Sequence, residues 1–354
     1  MPADPFSEIR LTTLHATRGP NFWSRRSVIR MDLDVGAYDD TSSADVGGVT
    51  EALLGALPGL AGHQCSIGEP GGFVLRLRRG TYAPHIIEHV ALELQAMIGH
   101  EVGYGRTRGG DEPGEYTIVF EHAHEHVGLR AAGLALQTVQ HAFSGTLDSV
   151  DHAIAELAAL SRVADTSPLH QQVLCGITGG DHRAATRDEL VRRGFGTDQL
   201  IIDIAPAYLL RQGLPYSRSA AAIVLDTTPT DVSERYRDPE RARQLMAVLA
   251  DGVEPGGLLI APAKEWEVQD MARDAGCRVA VFATDADLTS RDARVAMACA
   301  WVDSGQIRIE CTGDATTLAT LRPDVPAAAQ VAAALAAFTL AGERAAVPAD
   351  VRAS

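Results

Sequence analysis

The chain has 354 residues, enough for two domains with cores of their own, and 46% hydrophobic with 22% charged residues marks a folded globular protein rather than a disordered one. A formal net charge of -15 argues against a general nucleic-acid binder or a polybasic membrane anchor, and weakly favours a cationic or zwitterionic partner. Met1-Pro2-Ala3-Asp4-Pro5 carries neither a basic nor an apolar leader segment, and no apolar run reaches membrane-spanning length, so a cytoplasmic protein without a membrane partner is expected.

In chain order, residues 9–14 and 28–33 read as strands joined through Arg18-Gly19-Pro20-Asn21-Phe22-Trp23-Ser24. A helix over 48–57 follows, stopped by Pro58-Gly59, and Gly71-Gly72 precedes an expected strand over 73–78. Pro84 then suits a first helical position and Gly99 a stop. Between them Ile86, Val90, Leu94 and Met97 recur at helical spacing as a buried stripe. At about 100° per residue, His85, Glu88 and His89 share an arc on the opposite side, so both imidazoles can face one ion with Glu88 beside it.

The spacing is H-x-x-E-H, the order in which inverzincins hold zinc with two histidines and use the glutamate as proton carrier. Neutral imidazoles keep a metal Lewis acidic, and a carboxylate can take a proton from attacking water and hand it to a leaving amine. A third ligand must come from elsewhere. Glu93 lies one turn beyond His89, and Glu121 ends an expected strand over 115–121; Glu121 is slightly preferred, because inverzincins draw on a distant glutamate. A solvated helix face is the plain alternative, and spacing alone leaves the two evenly matched.

Gly103-Tyr104-Gly105-Arg106-Thr107-Arg108-Gly109-Gly110 reads as a loop in which Arg106 and Arg108 could grip carboxylates, with an ordinary solvated turn as the blander option. His122, His124 and His126 would share a face if the strand continued, and they read as exposed. Helices over 127–143 and 148–162 complete an α+β domain, residues 1–164. The five cysteines lack C-x-x-C spacing and read as reduced thiols. Cys65, near the histidine motif, reads as a small buried residue before a ligand.

Thr166-Ser167-Pro168 reads as a linker to a second domain, residues 165–354. There, apolar runs at 172–177, 200–204, 221–225, 258–260 and 279–282 alternate with helical segments at 183–193, 241–250 and 265–275, the pattern of a Rossmann-like α/β sheet. Residues 295–302 and 306–310 flank Asp303-Ser304-Gly305 as a hairpin, and 327–340 form an alanine-rich helix. Thr178-Gly179-Gly180 stands where such a sheet binds phosphate, but the chain's only lysine is Lys264, so no P-loop exists and no ATP is expected.

The N-terminal motifs, namely Arg18 to Ser24, Cys65 with Gly71-Gly72-Phe73, His85 to Gln95, Gly103 to Arg108 and Val119-Phe120-Glu121, resemble in order and spacing the N-terminal domain of cyanophycin synthetases over roughly residues 8–162. That resemblance implies a domain that engages cyanophycin, a poly-aspartate carrying arginine on its side chains, and that in some members cuts the polymer at a metal-dependent site. It also implies a polymer-binding part for Gly71 and Gly72. A weaker resemblance, over about 170–285, is to the Mur-ligase-like domain of the same synthetases. Here Asp203 stands for a magnesium-binding glutamate, Pro206-Ala207-Tyr208 for Arg-Gly-Gly, and Thr230-Asp231 for Asp-His. The ATP-grasp domain that separates the two regions in that family has no counterpart between them. The resulting expectation is a zinc-dependent hydrolase of cyanophycin or a related aspartate/arginine peptide, unable to act as a ligase. Its noncatalytic alternative is a cyanophycin-binding scaffold, with self-association left open.

Overall fold

The computed structural model describes residues 3–162, 173–196, 199–284, 288, 296–311 and 314–346. Contacts divide the chain into two compact units, one of Met1–Thr17 with Arg26–Pro168 and the other of Arg18–Arg25 with Leu169–Ser354. The expected linker Thr166-Ser167-Pro168 lies outside the described residues.

In the first unit, strands β1 (Arg10–Ala16), β2 (Val28–Asp34), β3 (Gly105–Gly109) and β4 (Glu115–Glu121) form an antiparallel sheet in the order β1-β2-β4-β3. Helices α1 (Pro5–Glu8), α2 (Val49–Ala56), α3 (Gly72–Arg79), α4 (Ala83–Ala96), α5 (Glu125–Phe143) and α6 (Asp151–Ser161) complete it. Ile29, Met31 and Leu33 of β2 alternate into one core with Ile86, Val90 and Leu94 of α4 and Val127, Ala131 and Val139 of α5.

Two expectations here are corrected. Residues 73–78 are helical, because Phe73 and Leu77, one turn apart, are the pair that the core buries, while Leu75 is left 39% exposed. The alternation of Phe73, Leu75 and Leu77 fits a strand equally well, and packing chose the helical period. The expected loop at 103–110 is largely β3, since Arg106 and Arg108 pair with Val119 and Thr117 of β4. A run of glycines and arginines has little strand propensity, and the ladder overrides it.

The second unit contains an eight-stranded sheet among the described residues, with β5 (Val173–Thr178), β6 (Leu200–Asp203), β7 (Ser219–Val224), β8 (Val253–Pro262), β9 (Arg278–Phe282), β10 (Cys299–Asp303), β11 (Gln306–Cys311) and β12 (Asp314–Thr320). Its order is β12-β11-β10-β9-β8-β7-β5-β6; the run from β6 to β10 is parallel and β10-β11-β12 antiparallel. All six residues of β5 are buried, as a strand covered on both faces requires. The helices are α7 (Arg183–Arg192), α8 (Pro206–Gln212), α9 (Pro239–Asp251), α10 (Trp266–Asp274) and α11 (Ala327–Ala346). The fold class is therefore α+β followed by α/β. The hairpin turns at Ser304 and Gly305, both at positive φ, although its expected first residue, Val295, lies outside the described residues.

The segment Arg18–Arg25 packs with the second unit. Leu214 N–H donates to Pro20 O at 2.8 Å, Phe22 meets Tyr236 edge-on at 5.5 Å, and Arg25 pairs with Asp251 at 3.0 Å. After β5, Gly180 N–H donates to the Asp226 carboxylate at 2.9 Å, so a negative side chain holds the donor that a phosphate would use. Asp203 is ion-paired with Arg187, and Asp231 accepts from Ala207 N–H at 3.3 Å.

Glu189 of α7 is 2% exposed and is held by Arg192 at 2.7 Å and by Arg322. Glu189→Ala is expected to destabilise the second unit by about 2 kcal/mol, less than a fully buried pair because both guanidinium groups reach solvent. Hydrogen exchange should show lost protection in α7 and α11 and not in α4; uniform or absent loss would contradict this.

Candidate functional site

Helix α4 explains why its polar residues form a site rather than a wet surface. It packs against α5 and also against β3 and β4, and every residue from Ile86 to Gln95 is buried, with Glu88, His89 and Glu93 at 5–6% exposure. Met97, expected in the buried stripe, is 41% exposed just past the helix end. A buried polar group without a partner costs on the order of 1–3 kcal/mol, so each of these needs one.

His85 has two partners. Its Nδ1 lies 2.8 Å from Thr81 Oγ1 and its Nε2 lies 3.3 Å from Cys65 Sγ. His89 stacks on Phe73, with ring centroids 3.8 Å apart, and its Nδ1 lies 2.9 Å from Nδ1 of His63. Cys65, His85 and His89 each place a ligand atom within 4.8 Å of the others. A tetrahedral ion with N and S ligands at ordinary zinc distances spaces its ligand atoms about 3.3–3.8 Å apart, and the 3.3 Å between Cys65 Sγ and His85 Nε2 is in keeping with that spacing, so the three residues could hold such an ion. Burial, with Arg76 nearby, pushes the His85 pKa down to about 4 and that of His89 lower still, which keeps both imidazoles neutral.

Glu88 faces the same cleft, about 870 Å³ in volume. Thr107 Oγ1 of β3 donates to Glu88 Oε2 at 2.6 Å, and a Cβ on Gly105 would come within 2.7 Å of the Glu88 side chain, so only glycine lets the strand approach this closely. Burial raises the Glu88 pKa to about 7, against the Thr107 hydrogen bond.

Glu121 takes other partners. Its carboxylate accepts from the N–H groups of Gly103 at 3.2 Å and Tyr104 at 3.1 Å and pairs with Arg26 at 3.4 Å, and it does not line the cleft. Glu93 lies against His63 Nε2 at 3.1 Å instead of joining the cluster. Gly71 caps α3 at φ +85°, and a Cβ on Gly72 would meet Gln64 O at 1.9 Å, so this pair presses the His63–Cys65 segment onto α3. Neither glycine lines the cleft, nor does Arg108; Arg106 and Arg76 do. β4 ends at Glu121, His124 sits at the N-cap of α5 with its ring edge-on to His100, and His126 is exposed.

Sequence reasoning missed His63 and Arg76 and undervalued Cys65. His63-Gln64-Cys65 does carry a signal, since a His-x-Cys pair can offer two donors from one turn. Among the described residues no helix is long and apolar enough to cross a membrane.

The geometry is that of three donors that could hold a metal ion, with a buried carboxylate beside them. Residues 29–144 match the family described as cyanophycin synthase-like N-terminal domain, and over this region the chain is similar to cyanophycin synthetases. It is 45% identical over 134 residues to the cyanophycin synthetase of Trichormus variabilis, covering 37% of this chain and 15% of that protein. The enzyme of the same name from Geminocystis herdmanii is 36% identical over 198 residues, 54% of this chain and 23% of that one. The matched region thus spans under a quarter of either relative. Among known structures, the UDP-N-acetylmuramoylalanyl-D-glutamyl-2,6-diaminopimelate--D-alanyl-D-alanyl ligase from Acinetobacter baumannii is 11% identical with a TM-score of 0.31, over 47% of this chain and 43% of that one. A murein peptide ligase from Psychrobacter arcticus is 10% identical with a TM-score of 0.35, over 49% and 45%.

The raised Glu88 pKa has a measurable consequence in chelator-treated protein. Between the unfolded value of 4.5 and about 7, the native state keeps a proton that the unfolded chain has released. Stability from this group is full below 4.5 and is lost as pH rises through 7, by roughly 3 kcal/mol. Glu88→Gln should therefore be stabilised relative to wild type at pH 8 and not at pH 4.5, read by thermal unfolding; an equal difference at both would show Glu88 to be solvated.

Proposed function

We propose that the N-terminal unit is a divalent-metal hydrolase, with zinc as the ion, acting on amide bonds of cyanophycin or a related aspartate/arginine peptide. The observation that carries it is the convergence of Cys65, His85 and His89 on one point, with Glu88 on the same turn facing the same cleft. The similarity to proteins named cyanophycin synthetase supports the substrate class. A divalent ion held by the three donors would supply Lewis acidity to water and to the scissile carbonyl.

The chain's own residues do the rest. Glu88, with a pKa near neutrality, takes a proton from water as the oxygen bonds to the carbonyl carbon, and delivers it to the nitrogen as the C–N bond breaks. Thr107 holds the carboxylate in place through Oε2. Arg76 and Arg106 line the cleft as cations for substrate carboxylates, and Tyr104 hydrogen-bonds Arg106. No nucleotide enters this scheme, and the Asp226 carboxylate on Gly180 supports that.

Metal content and cyanophycin cleavage, measured together on wild type, Glu88→Gln, His89→Ala and Cys65→Ser, test the reading. One zinc per chain is expected in wild type and Glu88→Gln, with turnover in Glu88→Gln lower by about 10²–10⁴. His89→Ala should lose both metal and activity, and Cys65→Ser should bind metal more weakly. Arg76→Ala should raise KM more than it lowers kcat. Polymer bound by a wild type with neither metal nor cleavage would overturn the hydrolase and leave a binding domain.

A further inference from the structure

Glu93, buried, and His63, half-buried, lie in the same unit without a part in the chemistry above. His63 stands between two groups: its Nε2 is 3.1 Å from Glu93 Oε2, and its Nδ1 is 2.9 Å from Nδ1 of His89. Such a chain of contacts fixes where the protons are. A carboxylate only accepts, so His63 carries its proton on Nε2 and donates it to Glu93. In a neutral imidazole, His63 Nδ1 is then an acceptor, and the hydrogen between the two Nδ1 atoms belongs to His89. His89 is left with an N–H at Nδ1 and a free lone pair at Nε2.

His85 reaches the same state by a shorter route. Its Nδ1 can donate to Thr81 Oγ1, and its Nε2 is the atom that faces Cys65 Sγ at 3.3 Å. Both histidines of one helical turn thus present the same kind of nitrogen to the cluster, each held by an outer partner of a different kind. Phe73, stacked on His89, and the close fit of Gly59 to Glu93, where a Cβ would lie 2.0 Å from Oε1, leave the rings and the carboxylate little room to turn.

We infer that Glu93 and His63 form a positioning relay that locks His89 in its Nδ1–H tautomer, so that Glu93 acts on the metal site through two imidazoles and is not itself a ligand. This rests on the metal-site reading above only for its purpose. The tautomer belongs to the metal-free protein. Outer partners of this kind are worth about 10–100-fold in metal affinity when removed.

The test has two arms on the 354-residue chain. In metal-free protein, ¹⁵N-histidine long-range correlation spectra should show His89 with a protonated Nδ1 and a bare Nε2, the signal being assigned by its loss in His89→Ala. Cobalt(II) titration followed by absorption should show His63→Ala and Glu93→Ala each weakened about 10–100-fold, the double variant no weaker than either, and Glu93→Gln close to wild type because its amide oxygen still accepts. A His89 protonated at Nε2, or a folded His63→Ala with unchanged cobalt affinity, would overturn the relay. Should His63→Ala fail to fold, the wild-type spectrum decides alone. A wild type with the Nδ1–H tautomer and weakened variants but no cleavage of cyanophycin would uphold the relay and sink the hydrolase.

Discussion

Helix α4 is buried all round, and it carries Glu88, His89 and Glu93 inside the unit with it. A helix so enclosed is ordinarily apolar on every face, because a buried carboxylate or imidazole costs more than packing returns unless it finds a partner. Here the partners come from three directions: Thr107 from β3, His63 and Cys65 from the segment before α3, and Thr81 from the residues leading into α4. The need of Glu88, His89 and Glu93 for partners inside the unit therefore shapes the site.

The same constraint separates the carboxylates into roles. Glu88 has one hydroxyl donor and a cleft in front of it, which leaves it with a pKa near neutrality and able to exchange a proton. Glu93 is spent on His63, and Glu121 on two backbone N–H groups and Arg26. Among the described residues Cys65, rather than either glutamate, brings a donor atom beside the two histidines, because Glu93 and Glu121 are drawn to other partners. A sulfur donor with two imidazoles would suit zinc better than a hard cation.

In the second unit, in the loop after β5, Asp226 accepts from Gly180 N–H and Arg183 donates to the carbonyls of Gly179 and Gly180. The charge there is satisfied internally. Asp203 and Asp231 are similarly engaged, with Arg187 and with the Ala207 backbone.

The sequence by itself determined the α+β and α/β classes, the span of α4 to within a few residues, and the H-x-x-E-H turn, because hydrophobic period and helical geometry are local properties. It also determined the absence of a lysine phosphate loop, which is a matter of composition. Tertiary structure alone decided that residues 73–78 coil into a helix, that β3 forms from glycines and arginines, and that Cys65 rather than Glu93 or Glu121 joins the two histidines. Those outcomes depend on which side chains the core has room to bury and which polar atoms are still free after packing, and neither is written in the spacing of a single segment.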